Sequence, residues 1–184
     1  MLTEGVLTDG VLIRDTARRL ARDAWIERRL FEVLGAWSTD CPEPEVARLL
    51  AEQSHHHAWH ASLLEERQPV LHDLAADELA PPASVVALLD ALAAPSGTIE
   101  RLTGLVRVVV PELLAGYEEQ LAMANPVADA PVTRVLLLVV ADEQEDWRAA
   151  VGVLRRMLRT ERDVMGAAAH QSQLDGLLLL TRRD

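Results

Sequence analysis

Apolar residues recur at helical spacing in four long stretches of the chain. In the first, residues 12–37, the positions of one stripe follow one another at spacings of three and four, as they do on one face of an α-helix. The second stretch begins after Pro44 and ends near Arg67, the third covers about 98–124, and the fourth covers about 130–160. Proline residues lie between these stretches and stop helices there. The pattern predicts four long helices.

The connection between the second and third predicted helices is longer than the other two. It has about thirty residues and contains a short apolar helix at about 83–93, whereas the other connections are short enough for helical hairpins. A weaker amphipathic segment at about 162–180, ending in four leucines, follows the fourth helix. We therefore expect an all-α fold in a single domain over residues 1–184: a four-helix bundle with a long crossover between helices two and three and an extra C-terminal helix.

Carboxylates interrupt the apolar stripes at matching depths. In the first predicted helix, Asp23 and Glu27 share a stripe that is otherwise mostly apolar. Counting outward from the first hairpin loop puts the partner of Glu27 near position 54, among Glu52, His55, His56 and His57. The same count from the second loop puts Glu112 opposite Glu143. A buried charge is costly unless it is paired or bound to a metal, so the pattern predicts a functional polar layer inside the bundle.

The sequence does not decide which face of helix two and which face of helix three point toward the interior. Two adjacent stripes of helix two serve equally well: Leu49, Glu52, His56, Trp59 and Leu63, or Val46, Leu50, Gln53, His57, His60 and Leu64. The histidines of this helix point over more than half of its circumference, so at most two or three of them can face inward. In helix three, the stripe with Glu112 competes with an apolar one: Leu102, Val106, Val109, Leu113 and Tyr117.

Two of the predicted helices carry metal-binding residue types three positions apart. These are Glu52-Gln53-Ser54-His55 in helix two and Glu143-Gln144-Glu145-Asp146 in helix four, and residues three apart lie on the same helix face. Together with Glu27 and Glu112, they resemble the dinuclear site of the di-iron carboxylate proteins, which belong to the ferritin-like superfamily of four-helix bundles. The resemblance therefore implies a ferritin-like fold.

Short motifs near these positions carry a second resemblance. The run His-His-His-Ala-Trp-His, followed by Arg-x-Pro, and the run Asp-Ala-Pro-Val-x-Arg, before Asp-Glu, are similar to those of a group of actinobacterial ferritin-like proteins. The resemblance to the di-iron carboxylate proteins covers about residues 12–160 and implies six metal ligands: Glu27, Glu52, His55, Glu112, Glu143 and Asp146. Asp146 stands where the family has its second histidine, which makes the expected site more negative and favours harder cations.

This resemblance implies an oxidase or oxygenase. Two iron ions, with manganese as the alternative metal, would oxidise a small organic substrate with dioxygen in the interior of the bundle. The residues expected to take part in catalysis are Glu27, Glu52, His56 and Tyr117. Two other hypotheses stay open: a metal-free enzyme of the same fold that uses the Glu/His layer for acid–base chemistry, and a non-catalytic bundle that acts as a dimerisation or partner-binding module.

The charge of the chain limits its partners. Its formal net charge is −11 and it contains no lysine, so we expect no binding to nucleic acid or to anionic membranes. The longest apolar runs are too short to span a bilayer, and the N-terminus lacks the pattern of a secretory leader. We therefore expect a cytoplasmic protein, and a homodimer if the four C-terminal leucines pack on a second copy.

Overall fold

The computed structural model of the protein describes the backbone of residues 4–72 and 74–182, and the side chains of all of these except residues 4–12 and 77. This part of the chain forms six helices and contains no strand: α1 (Glu4–Asp40), α2 (Pro44–Glu65), α3 (Ala83–Ala93), α4 (98–123), α5 (Ala130–Met157) and α6 (Glu161–Thr181). A 3-10 turn at Ala76–Leu79 lies between α2 and α3. The prediction of an all-α fold is confirmed. None of the described helices is both long and apolar enough to cross a membrane.

Local signals explain where several helices begin. A proline stands in the first turn of α2 and in that of α5, where the missing N–H removes no helical hydrogen bond. Helix α6 begins with a capping box, in which Thr160 Oγ1 accepts a hydrogen bond from the N–H of Asp163 and the Asp163 carboxylate accepts one from the N–H of Thr160. These starts could be read from the sequence because each depends only on neighbouring residues.

Four helices surround the interior that contains the polar residues. Helices α1 and α2 are joined by residues 41–43 and pack in opposite directions, and α4 and α5, joined by residues 124–129, do the same. Helix α2 also contacts α5, while side chains of α1 accept hydrogen bonds from α4. One hydrophobic core draws residues from all six helices.

Helices α3 and α6 pack against each other and against α4. Gly104 of α4 permits this close approach, because a Cβ atom there would lie 2.7 Å from Leu174 Cδ1 and 2.8 Å from Leu92 Cδ1. Of the four C-terminal leucines, residues 177–178 pack on the core, whereas residues 179–180 are exposed. The two extra helices thus cover one side of the core.

Pro111 lies within α4, which contains a π-helical turn at Leu105–Val109 just before it. In this turn the N–H of Val110 donates to a carbonyl five residues back. The carbonyl oxygen of Val106 would then pair with residue 111, but proline has no N–H to donate. The indole Nε1 of Trp147, on α5, donates to this oxygen instead, at 2.7 Å. The π-turn before Pro111 therefore has a carbonyl that is satisfied by a neighbouring helix.

Replacing Trp147 by phenylalanine should lower the free energy of unfolding by about 1–3 kcal/mol, because the buried carbonyl of Val106 loses its donor. Chemical denaturation followed by circular dichroism measures the change. The matched control is Trp59→Phe, since Trp59 is 46% exposed, and we expect a much smaller change for it.

A Pro111→Ala background tests the same hydrogen bond independently. Either the new N–H at position 111 or a return to regular α-helix supplies a donor for the Val106 carbonyl, so Trp147→Phe should cost at least about 1 kcal/mol less in this background. An equal cost in both backgrounds would show that the indole hydrogen bond does not support the turn.

Candidate metal centre

Four ionisable side chains meet in the interior of the protein, and all four are buried. They are Glu27 of α1, His57 and His60 of α2, and Glu143 of α5. Each offers one potential ligand atom, and the four atoms lie within 4.8 Å of one another. We refer to these four residues as the Glu/His cluster. Because it is assembled from three helices, it depends on how those helices pack.

The inner stripe of α2 brings both histidines into the cluster. His57 and His60 are three residues apart and therefore lie on one helix face. This face is the second of the two stripes left open by the sequence, and all its members are buried: Val46, Leu50, Gln53, His57, His60 and Leu64. Buried apolar residues of the same face lie before and after the two histidines along α2.

Helices α1 and α5 contribute the carboxylates from the stripes that the sequence predicted. Glu27 shares its stripe with the buried residues Leu20 and Leu30, and Glu143 shares its stripe with the buried residues Val139 and Ala150. Since buried apolar residues lie on both sides of each carboxylate, neither can reach water, and both need partners in the interior.

The two histidines are these partners. His57 Nδ1 lies 2.6 Å from Glu27 Oε2 and 3.1 Å from Glu143 Oε1. His60 Nδ1 lies 3.2 Å from Glu143 Oε1 and 3.6 Å from Glu27 Oε2. Each carboxylate faces both imidazoles, so the four side chains form one network.

The carboxylates of the cluster favour the protonated form of both imidazoles. Burial, the strongest influence, lowers the pKa of His60, but hydrogen bonds to Glu143 and Glu27 and the charges of these carboxylates outweigh it and raise the pKa to about 10. Burial likewise opposes protonation of His57, but the charges of Glu143 and Glu27 raise its pKa well above the usual value. The Nε2 atom of His60 also lies 3.3 Å from Asp142 Oδ2, so both of its ring nitrogens face a carboxylate.

The cluster is therefore electrically balanced. Burial by itself raises the pKa of Glu143, but the charge of His57 and the hydrogen bonds from His57 and His60 lower it to about 2. Glu27 is the second acidic residue of the cluster, so two acidic and two basic side chains are paired in the interior. This balance explains how four ionisable groups can be buried together.

Tyr117 of α4 holds the second oxygen of Glu27. Its hydroxyl donates to Glu27 Oε1 at 2.6 Å, while His57 bonds to Oε2. Burial and the charge of Glu27 raise the pKa of Tyr117 well above its usual value, so the phenol keeps its proton and remains a donor. Further along the same helices, Gln120 Nε2 donates to the buried Asp23 at 2.6 Å. Helix α4 therefore orients carboxylates of α1 without contributing a ligand atom.

His56 and Asp146 form a separate, half-buried pair beside the cluster. His56 Nδ1 lies 2.7 Å from Asp146 Oδ2. Burial raises the pKa of Asp146, although the hydrogen bond with His56 opposes this. Gln53 Nε2 donates to the backbone carbonyl of Asp146 at 2.8 Å, which ties α2 to α5. Asp146, predicted as a ligand, and His56, predicted as catalytic, thus lie next to the Glu/His cluster and outside it.

Two further predicted ligands lie on the outer face of α2. The inward position expected for Glu52 is wrong, because its side chain is 54% exposed and its carboxylate accepts a hydrogen bond from Arg48. The same is true of His55, which is also exposed. The exposure of both residues follows from the rotation of α2, because the face that points to the core is the one that contains Gln53, one position after Glu52.

Glu112 is also outside the cluster. Its carboxylate accepts hydrogen bonds from Arg182, at the end of α6. The competing apolar stripe of α4, which includes Leu113 and Tyr117, is buried instead. Burying this stripe removes more apolar surface from water than burying the stripe that carries the Glu112 carboxylate. Glu112 pairs instead with the guanidinium group of Arg182.

The ligand set expected from the sequence does not include His57 and His60, although their stripe is one of the two that the sequence leaves open for the inner face of α2. One local signal favours it. Arg48 and Glu52 are four residues apart with opposite charges, a spacing typical of an exposed ion pair on a helix. That pair marks the other stripe as facing solvent, and it leaves His57 and His60 on the inner face.

The donor set of the cluster fits a divalent transition metal. Imidazole nitrogen and carboxylate oxygen are ligands of iron, manganese and zinc in proteins. Four ligand atoms arranged as a tetrahedron around an ion, with bonds of about 2.1 Å, lie about 3.4 Å from one another. The nitrogen–oxygen distances within the cluster, 2.6 to 3.6 Å, are near this value. Small side-chain movements would therefore suffice to bind an ion.

The chain matches no protein-family model, no curated protein and no solved structure. The functional interpretation therefore rests on the residues of the site and their geometry.

The pH dependence of stability tests the charge balance of the metal-free protein. The raised pKa of His60 contributes stability that is fully present below about pH 6.5, its unfolded pKa, and that is lost as the pH rises through about 10. The lowered pKa of Glu143 contributes stability that is present above about pH 4.5 and is lost as the pH falls through about 2.

With chelator present, the free energy of unfolding should therefore fall from pH 6.5 to pH 9. The fall is up to about 1.4 kcal/mol per pH unit for each proton that the folded protein binds and the unfolded protein does not.

Two double variants show whether this slope comes from the cluster. His60→Gln/Glu143→Gln removes one charge of each sign from the interior and should flatten the profile above pH 6.5. Arg48→Gln/Glu52→Gln removes an exposed pair and should leave the slope unchanged. The assignment is wrong if the wild-type protein and the His60→Gln/Glu143→Gln variant lose stability equally over this range.

Proposed function

We propose that the protein is a metalloprotein that binds one divalent transition-metal ion at Glu27, His57, His60 and Glu143 and, with iron(II), oxidises a small organic molecule with dioxygen. The observation that carries this proposal is the convergence of four potential ligand atoms within 4.8 Å in a buried position. Acidic residues gather often at protein surfaces, but two imidazoles and two carboxylates rarely meet in the interior without a structural or chemical role.

Charge balance supports the metal part of the proposal. Metal ligation requires neutral imidazoles, so binding releases the protons of His57 and His60. A divalent cation then replaces two proton charges, and the interior stays neutral. The cluster can therefore exchange two protons for one metal ion without leaving a buried net charge.

The proposed fold is a ferritin-like bundle. Two features support it: the hairpins α1/α2 and α4/α5, and the long connection that joins them and contains α3. In bundles of this kind, metal sites are built in the core from side chains of facing helices. The cluster has such a position, between α1, α2 and α5.

The geometry favours one ion over the two expected from the resemblance. Of the six ligands expected from the sequence, Glu27 and Glu143 belong to the cluster and Asp146 lies beside it, paired with His56. The other three, Glu52, His55 and Glu112, lie at or near the surface. The two histidines that replace them complete a set of four for a single ion. Iron is proposed for the oxidation, and manganese stays the alternative metal.

The residues around the cluster suit oxidation chemistry. Glu27, His57, His60 and Glu143 would hold iron(II), which would pass electrons from the organic substrate to dioxygen, so that the substrate is oxidised as dioxygen is reduced. Tyr117 fixes the orientation of Glu27 through its hydroxyl. His60 connects the cluster to Asp142, whose side chain is partly exposed, and this contact offers a route for protons between the interior and water. The cytoplasmic location and the homodimer stay predictions.

A metal-free enzyme that uses the cluster for acid–base chemistry is the second candidate. It is favoured by the hydrogen bonds between histidines and carboxylates, which already satisfy these groups without an ion. In this candidate His57 or His60 would donate or accept the proton. Metal binding separates the two candidates.

Protein purified without chelator and titrated anaerobically with iron(II) or with manganese(II) should bind about one ion per chain, because four ligand atoms converge at one point. Elemental analysis of the gel-filtered protein gives the stoichiometry. Two ions per chain would support the dinuclear site implied by the resemblance, and fewer than about 0.2 ions per chain would rule out the metalloprotein.

Matched variants locate the bound ion. His60→Gln/Glu143→Gln removes two ligands but keeps the charge balance, so it should fold and bind metal roughly 100-fold more weakly or worse. Glu52→Gln and His55→Gln, at two positions expected to be ligands from the sequence, should bind as the wild type does. A loss of binding in these two controls, with none in the double variant, would place the ion elsewhere.

Adding dioxygen to the anaerobic iron(II) protein tests the redox part of the proposal. We expect an oxygen electrode to record consumption at least about tenfold faster than for free iron(II) in the same buffer, because the carboxylate ligands favour the oxidised metal. The variant His60→Gln/Glu143→Gln should show the rate of free iron(II), and Arg48→Gln/Glu52→Gln should behave as the wild type. A wild-type rate equal to that of free iron(II) would contradict the oxidase proposal and leave only metal binding.

A further inference from the structure

A cavity of about 350 Å³ lies beside the Glu/His cluster, on the side covered by α3 and α6. Apolar residues from four helices line it, among them Ile26 of α1, Leu88 of α3, Leu113 of α4 and Leu178 of α6. Its volume lies in the lower part of the range of small-molecule pockets and is about twice that of an apolar cavity that holds benzene. The cavity therefore has room for an organic molecule of one or two rings or a medium-length chain.

Gly116 keeps this space open. It lies in α4 and in the cavity wall, and a Cβ atom added there would meet no atom within 4 Å. Glycine inside a helix weakens the helix relative to alanine, and no close contact requires glycine at this position. A larger side chain at position 116 would extend into the cavity, so the glycine preserves empty volume although it weakens the helix.

The charged groups of the wall disfavour an anion. Arg22 donates to the buried carboxylate of Asp23 from Nε and Nη2, and Arg182 donates to Glu112 from the same two atoms. Both guanidinium groups are therefore engaged. Glu119 also lines the cavity and forms no ion pair with any residue that the structure describes. Three carboxylates thus face two guanidinium groups, which suits a neutral or cationic occupant.

Tyr117 connects the cavity to the cluster. It lines the cavity, and its hydroxyl donates to Glu27 Oε1. A molecule in the cavity would contact a residue that holds one of the proposed metal ligands. Binding in the cavity and binding at the cluster can therefore influence each other through a single side chain.

We propose that this cavity binds a small, mostly apolar organic molecule that is neutral or positively charged, and that it is the substrate pocket of the metal centre; the substrate role rests on the proposed function. Glu112, expected from the sequence to bind metal, then has a different role. With Arg182 it forms part of the pocket wall.

The fluorescence of N-phenyl-1-naphthylamine, a neutral apolar probe, measures binding to the full-length protein. Gly116→Leu should weaken probe binding at least about tenfold, because the leucine fills the pocket. Gly176→Leu is the matched control: its Cβ position also meets no atom within 4 Å, but it lies outside the cavity wall. Equal binding by Gly116→Leu and the wild type, or an equal loss in both variants, would overturn the cavity as the binding site.

Displacement of the probe by octylamine, octanol and octanoate tests the charge preference. Octylamine and octanol should displace it at concentrations at least about fivefold lower than octanoate. Glu119→Arg should reverse the order of the amine and the carboxylate, whereas Glu118→Arg changes the net charge equally at an exposed position outside the wall and should not. Preferential binding of octanoate by the wild type would contradict the proposed ligand class. These variants are at exposed positions, so the test does not depend on Gly116→Leu being folded.

Manganese affinity with and without octanol tests the substrate role. In the wild type octanol should change the affinity about threefold or more, and Tyr117→Phe, which lacks the hydroxyl bonded to Glu27, should remove this effect. If manganese and octanol both bind without affecting each other, the cavity is a ligand pocket and its substrate role is wrong. If manganese does not bind, the proposed function and the substrate role both fail, and probe binding still decides whether the cavity holds a ligand.

Discussion

The mutual neutralisation of two buried carboxylates and two buried imidazoles is the interaction on which the rest of the structure depends. Glu27 and Glu143 have buried apolar neighbours on both sides and cannot reach water. His57 and His60 come from α2, the helix that packs against both α1 and α5. Removing one member would leave an uncompensated buried charge, which costs about 3–5 kcal/mol. The rotation of α2 and the relative depth of α1 and α5 are therefore coupled.

Helix α4 contributes no member of the cluster, yet it determines how the cluster is held. Tyr117 binds the free oxygen of Glu27, and Gln120 binds Asp23 one turn away on α1. The same rotation of α4 turns Glu112 outward, toward α6. The π-turn before Pro111 requires a donor from outside the helix, and Trp147 of α5 supplies it. Helices α4 and α5 are thus joined by a polar contact as well as by apolar packing.

The arrangement of cluster, Tyr117 and cavity gives the two proposals a common physical basis. In the proposed function the cluster would hold either two protons or one divalent ion, so its occupancy would depend on pH and on metal supply. The cavity lies outside the four helices that surround the cluster, beneath α3 and α6, and Tyr117 separates it from the proposed ligands. The long connection that contains α3 and the C-terminal helix α6 thus contribute residues to the wall of this pocket.

The sequence by itself determined the helices, because helix periodicity and helix-breaking residues are local properties, and it placed Glu27 and Glu143 on stripes with apolar residues on both sides. It left the rotation of α2 open, since neighbouring residues of a helix point only about 100° apart and two adjacent stripes both contain apolar residues. Packing against α1 and α5 selected the stripe with His57 and His60, because only these imidazoles neutralise both carboxylates. The position of Glu112 also depends on the tertiary structure. Its partner Arg182 lies 70 residues away along the chain and reaches it only in the folded protein.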